Sequence, residues 1–583
     1  MNPRIKYLLL IYVSTVAFLL FFVSINQRNY QDSWILEDIF IPTIIYVIIF
    51  TLVVVEVNDN KIVATLCASF TVILNAIPNL KYQMFYGTAD SMAHFGFVKS
   101  LLMSGRPPTI NVYSDFPGMH ILIGSFSLIS GADVNISIKF VTSTIFSIIP
   151  LLTYFLTNQV FGKNVQKYMV IASSLPLVLS YTLTGTTFAI SLFCPFMYLL
   201  FKRHLSKEYK REYTLLLIII AFGLLYSHLV TMVSLLMFLC IMLILIRLFH
   251  FTEKTSYSAL SRTTIGVLSL ILVSFIAWLM FEANFVFEML IDTASRLLTG
   301  QVSKAPIPQR FFEIPFVEEL KFFVLKYIKD VIIVLLSSAG LLVLLKNFRH
   351  KNDYIFKNFY IPLVYFLGAT LFLIAFQFAT RFGEIEYRRF IDYAMLLSPF
   401  LTGIFLLYIT ERFRVITKKD WLSVLLTTLI LFTCISACMI QTFPYQPLVP
   451  RASVLAEELP ENEYITELMR VNTIFQEKMI LFAEKFSSKN ANITSDTVTR
   501  WQIYGLANET FINRYIWCYP LGPEANIESK QWSILLLHYS GKSGPLDEKV
   551  EYRTNEAIDN LRNLLVCTVY DNGESFIVSK KGI

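Results

Sequence analysis

Long apolar runs, separated by short polar breaks, follow one another along the first 440 residues of the chain. A helix needs about 20 mostly apolar residues to cross a bilayer core, so the runs of this length predict about thirteen spans. The first run follows Arg4 and Lys6 without a small-residue cleavage site, which predicts a retained membrane anchor. The predicted spans are residues 7–25, 39–57, 62–80, 134–160, 166–184, 186–201, 213–227, 229–249, 263–281, 329–347, 357–377, 390–409 and 421–440.

The pattern changes near residue 445, where the apolar runs end. Residues 461–487 and 555–563 are typical of helices, whereas residues 532–537, 564–570 and 575–579 are typical of strands. The pair Asn572-Gly573 predicts a hairpin between the last two strands, because Asn-Gly supplies the positive φ of a type I′ turn. The sequence therefore predicts an all-α polytopic membrane bundle over residues 1–444, followed by a small α/β domain over residues 445–583.

Composition and charge agree with this division. Of all residues, 55% are hydrophobic and 16% are charged, against about 25% charged in soluble domains, which excludes a disordered chain or a string of soluble domains. Residues 445–583 contain 14 Lys and Arg but 18 Asp and Glu, so the basic excess of the chain belongs to the membrane part. Such an excess is typical of cytoplasmic loops, and we expect no nucleic-acid partner.

The loops between predicted spans alternate in charge. If the N-terminus is cytoplasmic, the opposite face receives residues 26–38, 81–133, 282–328 and 379–389 and the whole tail. We therefore predict a multi-pass protein of the cell membrane with a cytoplasmic N-terminus and an extracytoplasmic C-terminal domain. The loops that would face the cytoplasm each carry more Lys and Arg than Asp and Glu, and they are residues 163–167, 202–212, 247–262, 346–357 and 411–420.

The external segment 81–133 is too polar for a span and too apolar for a plain loop. Residues 91–103 and 117–129 predict two short helices at the membrane surface, broken by Gly105-Arg106-Pro107-Pro108. Asp90 opens the first helix, and His94 follows one turn later on the same face. A carboxylate at this position is either a plain N-cap or a general base that takes a proton from a hydroxyl.

Several other side chains are candidates for binding. A phosphate at the outer boundary needs cations, and the forked donors of Arg suit it, so we expect Arg381, Arg388 or Arg389 to hold one, unless each only snorkels to the interface. Lone histidines near helix ends are usually structural, and binding of substrate is the alternative for them. Asp115, His120, His228 and Arg310 are the possible substrate-binding residues.

Metal and disulfide sites have weaker signals. We find no zinc cluster in the sequence and expect that no cofactor is required, although a divalent ion held by Asp90 and Asp115 stays an alternative. Cys518 and Cys567 are the only cysteines of the tail, on the side where disulfides persist, so a bridge between them and two free thiols are both open.

Short motifs resemble the GT-C membrane glycosyltransferases, above all the protein O-mannosyltransferase and aminoarabinose-transferase branch. Residues 90–96, Asp-Ser-Met-Ala-His-Phe-Gly, are similar to an Asp-Glu-x-His-Phe-Gly pattern, except that Ser91 replaces the second acid and one extra residue precedes His94. Residues 115–120 stand where a Pro-Pro pair begins the second surface helix of that family. Residues 227–231 resemble its His-Pro-Leu-Thr turn, and Arg388-Arg389-Phe390 enters a late helix as an Arg does there.

The resemblance covers residues 85–440 in arrangement. It implies an inverting transfer of a sugar from a polyprenyl-phosphate-linked donor, with Asp90 as the base and a glycan, lipid or protein as the acceptor. The Trp-Trp-Asp-Tyr-Gly motif of oligosaccharyltransferases is absent, which argues against that metal-dependent branch. A transporter or flippase of a lipid-linked or anionic substrate is the first alternative, although we find no repeated halves. A polysaccharide polymerase or ligase is the second.

Overall fold

The computed structural model describes sixteen segments and a few isolated positions of the chain. The segments are residues 3–25, 40–81, 89–105, 115–158, 163–175, 185–205, 209–249, 257–283, 286–288, 331–344, 398–417, 420–442, 493–495, 534–538, 566–571 and 575–580.

Helices make up almost all of the described part before residue 443. Several of them coincide with predicted spans because an apolar run of this length has every backbone amide satisfied inside the helix. The helices are α1 Pro3–Ile25, α2 Phe40–Glu56, α3 Asn60–Lys81, α4 Ala89–Ser104, α5 Gly118–Ser130, α6 Val134–Thr144, α7 Ile148–Thr157, α8 Lys163–Ser173, α9 Gly185–Leu205, α10 Lys210–Leu225, α11 Leu229–Phe249, α12 Tyr257–Phe281, α13 Val331–Leu344, α14 Pro399–Thr417 and α15 Asp420–Thr442.

Four of the described helical segments are long and apolar enough to cross a membrane: Lys6–Ser24, Asn60–Ile77, Val134–Thr157 and Thr264–Phe281. Shorter apolar helices occur within α2, α5, α11, α13 and α15. The protein is thus a helical membrane protein. The number of thirteen spans stays a prediction, because the predicted span 357–377 lies outside the described residues and α8 and α14 cover only parts of theirs.

Proline shapes two of the helices. The predicted span 134–160 is divided into α6, a 3₁₀ turn at Ile145–Ser147, and α7. Pro150 has no amide hydrogen to bond the carbonyl four residues earlier, which explains a change of helix type at this place. Pro195 lies inside α9, where it removes the helical partner of the Ser191 carbonyl in the same way.

Two buried apolar clusters hold the bundle together. One joins α1, α2 and α3 to α7, α8, α14 and α15 around residues such as Phe50 and Phe70, whose rings stack 3.8 Å apart. The other is centred on α9, α10, α11 and α12. Close approach of backbones is made possible by small residues: a Cβ built on Gly403 of α14 would lie 2.7 Å from the Met169 backbone in α8.

The tail contains a four-stranded sheet of β1 Ile493–Ser495, β2 Ile534–His538, β3 Val566–Asp571 and β4 Ser575–Lys580, in the order β1-β2-β4-β3. β3 and β4 pair antiparallel, and β1 runs parallel to β2. This confirms the three predicted strands and the pairing of the last two. The turn at residues 572–574 and most of the predicted tail helices lie outside the described residues, so the α/β character of this part and the boundary at residue 445 stay predictions.

Candidate functional site

The segment of residues 81–133 forms the two helices that the sequence predicts. α4 ends before Gly105, with φ of +70°, and α5 ends before Gly131, with φ of +69°. Both glycines occupy the left-handed conformation that ends helices and that other residues adopt only with strain. α4 and α5 pack on each other, and both pack on α6. The position of the two helices at a membrane surface stays a prediction.

Asp90 is the second residue of α4, so it stands in the first turn, where the helix dipole favours a negative charge. Its side chain is outside the described part of the structure. His94 follows one turn later and is buried, with 1% of its side chain exposed. The backbone thus places Asp90 and His94 on neighbouring turns of one helix face, as predicted.

His94 bonds to a histidine of the other helix. Its Nδ1 atom lies 2.9 Å from Nε2 of His120 in α5, which is 2% exposed. The two rings are 5.1 Å apart, and the edge of the Phe97 ring packs against both of them. The sequence marked both histidines as candidates but gave no signal that they meet.

Burial lowers the pKa of both rings, because a charged imidazolium is poorly solvated inside the protein. The pKa of His94 falls well below its ordinary value, mainly by burial and further by the proximity of His120 and His228. The pKa of His120 falls to about 4 through burial. Both rings are therefore neutral at pH 7, and a single proton lies between Nδ1 of His94 and Nε2 of His120.

The turn between α10 and α11 holds the start of α5. The amide of Gly118 donates a hydrogen bond to the carbonyl of Tyr226 at 2.8 Å. A Cβ on Gly118 would lie 3.0 Å from that oxygen and 3.2 Å from Oγ of Ser227. A side chain at this position would therefore require the turn or α5 to move by a few tenths of an ångström, a constraint that the sequence pattern did not reveal.

His228 ends the same turn and begins α11. Its Nδ1 accepts a hydrogen bond from the amide of Thr231 at 3.3 Å, so the ring caps the helix and the proton of the neutral ring is assigned to Nε2. The ring packs on the start of α9, where a Cβ on Gly185 would lie 3.3 Å from it. Histidines of α4, α5 and the α11 start thus converge on one region, which we call the three-histidine region (His94, His120, His228).

Asp115 lies three residues before α5 and is partly exposed. Partial burial raises the pKa of its carboxyl group above its usual value. The N-cap residue of α5 is Pro117, and no side chain caps the helix, so Asp115 does not serve as its N-cap. Its role as a substrate-binding residue stays a prediction.

Three of the six ring nitrogens in the three-histidine region have hydrogen-bond partners. Nδ1 of His94 and Nε2 of His120 bond each other, and Nδ1 of His228 accepts an amide hydrogen. Within the described residues, no three His, Cys, Asp or Glu side chains are placed to share an ion. A divalent ion between Asp90 and Asp115 would need other ligands and stays a prediction.

The remaining predicted site residues lie beyond the described part of the chain. This holds for the phosphate-binding candidates and for one partner of the predicted disulfide, while Cys567 is placed only by its backbone, in β3. Their roles stay predictions. The undescribed candidates are Arg310, Arg381, Arg388, Arg389 and Cys518.

A polar contact below the site was missed by the sequence analysis. Nδ2 of Asn79 in α3 donates to Oγ1 of Thr142 and Oγ of Ser143 in α6, at 3.1 and 3.4 Å. α6 carries both α4 and α5, so this contact fixes the helix on which the site rests. Uncharged polar residues inside an apolar run leave the hydropathy pattern nearly unchanged, which is why no signal pointed to them.

Comparison with known proteins gives structural similarity alone. No protein-family model matches the sequence, and no curated protein matches it. An oligosaccharyltransferase of Archaeoglobus fulgidus, tethered with an acceptor peptide, is similar over 78% of this chain with 13% identity and a TM-score of 0.46, and the chain spans 63% of that enzyme. ArnT of Cupriavidus metallidurans bound to undecaprenyl phosphate is similar over 88% of this chain and 97% of its own, with 10% identity and a TM-score of 0.47.

The described helices define a helical membrane protein in which two short helices, α4 and α5, precede α6. The similar structures belong to the GT-C glycosyltransferase superfamily, the one that residues 90–96 resemble in sequence.

Proposed function

We propose that the protein is a membrane glycosyltransferase that moves a sugar from a polyprenyl-phosphate-linked donor to an acceptor hydroxyl on the extracytoplasmic face. The observation that carries the proposal is the joining of α4 and α5 by His94 and His120 one turn after Asp90. The sequence motifs of the same segment, and its predicted external position, support it.

In this proposal Asp90 is the general base. The first turn of α4 favours its ionised form, and the acceptor hydroxyl would give up its proton to it as the sugar is attacked. His94 and His120 are neutral, so they place no positive charge beside Asp90 that would lower its pKa and make it a weaker base. Positioning the two substrates then supplies much of the rate enhancement.

The carrier phosphate is the leaving group. We propose that Arg381, Arg388 and Arg389 neutralise it, because bidentate Arg contacts stabilise the charge that develops on phosphate oxygens. Dolichol-phosphate is bound in another structure of the Archaeoglobus fulgidus oligosaccharyltransferase, and undecaprenyl phosphate is bound in the ArnT structure. We propose a polyprenyl phosphate of this kind as the carrier. A divalent ion between Asp90 and Asp115 is the variant of the proposal that uses a metal.

The test compares wild type with Asp90→Asn in proteoliposomes given radiolabelled polyprenyl-phosphate sugars and an acceptor extract. Loss of a general base should lower transfer by about 10²- to 10⁴-fold while donor binding persists. Asp133→Asn is the matched control, because Asp133 also begins a helix of the same segment and its cap on the Asn135 amide is one that Asn can replace.

Equal transfer by wild type and Asp90→Asn would remove Asp90 as the base. A wild-type protein that transfers no sugar, but moves lipid-linked sugar across the vesicle membrane, would instead favour the transporter or flippase.

A further inference from the structure

The bond between His94 and His120 is a direct polar contact between α4 and α5. Each ring is almost fully buried, and the edge of Phe97 packs on both. Water therefore cannot replace either partner at the two nitrogens that face each other. The 2.9 Å bond between them persists in the folded state.

The two helices differ in how firmly they are held. The start of α5 is fixed from outside, by the hydrogen bond from Gly118 to Tyr226 and by the tight packing of Gly118 on that turn. The end of α5 is fixed by Gly131 and by the bond from Oγ of Ser127 to the carbonyl of Ala132. His120 is thus a side chain on a helix with two fixed ends.

α4 packs on α5 and α6, and the histidine bond adds a directional polar link to this packing. His94 lies one turn after Asp90, so a rotation of α4 that moved the His94 ring would also move the first turn. Holding Nδ1 of His94 fixes the ring plane of His94 and the rotation of α4 about its axis.

We infer that His120 is a positioning residue, which acts through His94 to set the place of the first turn of α4 and therefore of Asp90. This inference rests on the proposed function, and it assigns to His120 a role other than direct substrate binding. To keep a hydrogen bond between the two helices, residue 120 needs a polar atom at the position of Nε2, and residue 94 needs a polar atom at the position of Nδ1.

Amide side chains allow this requirement to be isolated. The amide of Gln ends at the same number of bonds from the backbone as Nε2 of His, and the amide of Asn ends at the same number as Nδ1. His120→Gln and His94→Asn therefore keep a bond between the helices. His120→Leu keeps the apolar volume and removes the bond.

Hydrogen–deuterium exchange of the purified protein in lipid nanodiscs measures positioning without any substrate. His120→Leu should speed exchange in the peptide that covers residues 89–104, whereas His120→Gln should leave it at the wild-type rate. A peptide from α12 serves as the internal reference for a fold that stays intact. Unchanged exchange in His120→Leu would overturn the inference, whatever the enzyme does.

Kinetics of sugar transfer give the second measurement. Misplacement of a catalytic group by a fraction of an ångström to 1 Å costs up to about 10²-fold, so His120→Leu should lower kcat by about 10- to 100-fold with the KM for the donor nearly unchanged, and His120→Gln should restore most of it. A raised KM with unchanged kcat would make His120 a substrate-binding residue and overturn the inference.

Two further outcomes separate this inference from the proposed function. If His120→Gln and His120→Leu lose kcat equally while exchange in α4 stays normal in Gln, the ring itself is needed and positioning is wrong. If the wild type transfers no sugar from any donor of the panel, the proposed function fails and the catalytic role of the bond fails with it, while the exchange data still report whether the bond positions α4.

Discussion

Two buried polar regions of the helical bundle differ in what their side chains bond. At the junction of the α2–α3 and α7–α8 turns, side chains bond mostly to backbone carbonyls at helix ends. Nζ of Lys167 donates to the carbonyl of Val55, and the amide of Asn60 donates to the carbonyl of Lys163. The amide of Gln166 donates to the carbonyl of Tyr154. In the three-histidine region, His94 and His120 instead bond each other.

This difference separates structural polar groups from candidates for function. The last carbonyls of a helix, such as that of Val55, lack partners within it, so a side chain that bonds them stabilises the fold directly. A bond between two buried imidazoles satisfies no backbone group, and burying both rings costs desolvation free energy. This desolvation cost occurs one helical turn from Asp90, the candidate base that the sequence predicts. We therefore assign function to the histidines and not to the junction.

The largest effect that we expect is a loss of folding stability at low pH through the three-histidine region. An unfolded histidine binds a proton near pH 6.5, whereas His120 in the fold does so only near pH 4. Between these values the unfolded chain holds more protons, so stability is complete above about pH 6.5 and is lost as the pH falls toward 4. The loss from His120 is about 3 kcal/mol, since one pKa unit is worth about 1.4 kcal/mol.

The measurement is unfolding in SDS titrations at pH 7 and pH 5, for wild type and for His120→Gln. The variant should lose less stability over this range, because its amide does not titrate. An identical decline in both proteins would contradict a buried neutral His120.

The packing of Gly118 against the turn between α10 and α11 can be tested by substitution. Gly118→Ala places a Cβ 3.0 Å from the Tyr226 carbonyl oxygen, so α5 or the turn must shift, at a cost of about 2 kcal/mol, typical of overpacking. Sugar transfer should fall together with stability, because α5 holds α4 through the histidine bond. Gly266→Ala in α12 is the matched control, since a Cβ there meets no atom within 4 Å. Equal behaviour of the two variants would show that Gly118 is not constrained.

A substitution at the junction of the α2–α3 and α7–α8 turns should have the smallest effect. It should lower stability without changing the rate of sugar transfer. Lys167→Met removes the donor to the Val55 carbonyl, a loss partly offset by relief from burying an amine, so we expect about 1 kcal/mol of destabilisation. The rate of transfer per folded molecule should stay at the wild-type level. Lys61→Met, at an exposed lysine of the neighbouring turn, is the control. A fall in kcat for Lys167→Met would erase the distinction between the two regions.

Apolar periodicity and turn residues predicted much of this architecture. The bounds of α1 to α3 follow from runs of about 20 apolar residues, and the division into α4 and α5 follows from the break at residues 105–108. The pairing of β3 with β4 follows from Asn572-Gly573 between two strand-like runs. The interruption at Ile145–Ser147 was missed, because the run stays apolar through it and only Pro150 reports the change.

The contacts of the site were not predictable from the sequence. Asp90, His94, His120 and His228 were each selected by residue type and position at a helix end. The meeting of the three histidines depends on the packing of α4, α5 and the start of α11, and a single sequence contains no direct record of such contacts. Gly118 and Gly185 were missed for the same reason, since their importance lies in the backbone and ring that approach them.

The proline inside α9 has a mechanical consequence for the same region. A helix that lacks one amide hydrogen bond resists bending less at that point than along the rest of its length. Pro195 therefore divides α9 into two halves, and the half that begins at Gly185 contacts the His228 ring. Both halves are packed in the apolar cluster of α10 to α12, through Ala189 and Phe193 before Pro195 and through Phe196 and Phe201 after it. A bend at Pro195 that moved Gly185 against His228 would therefore also move part of this cluster.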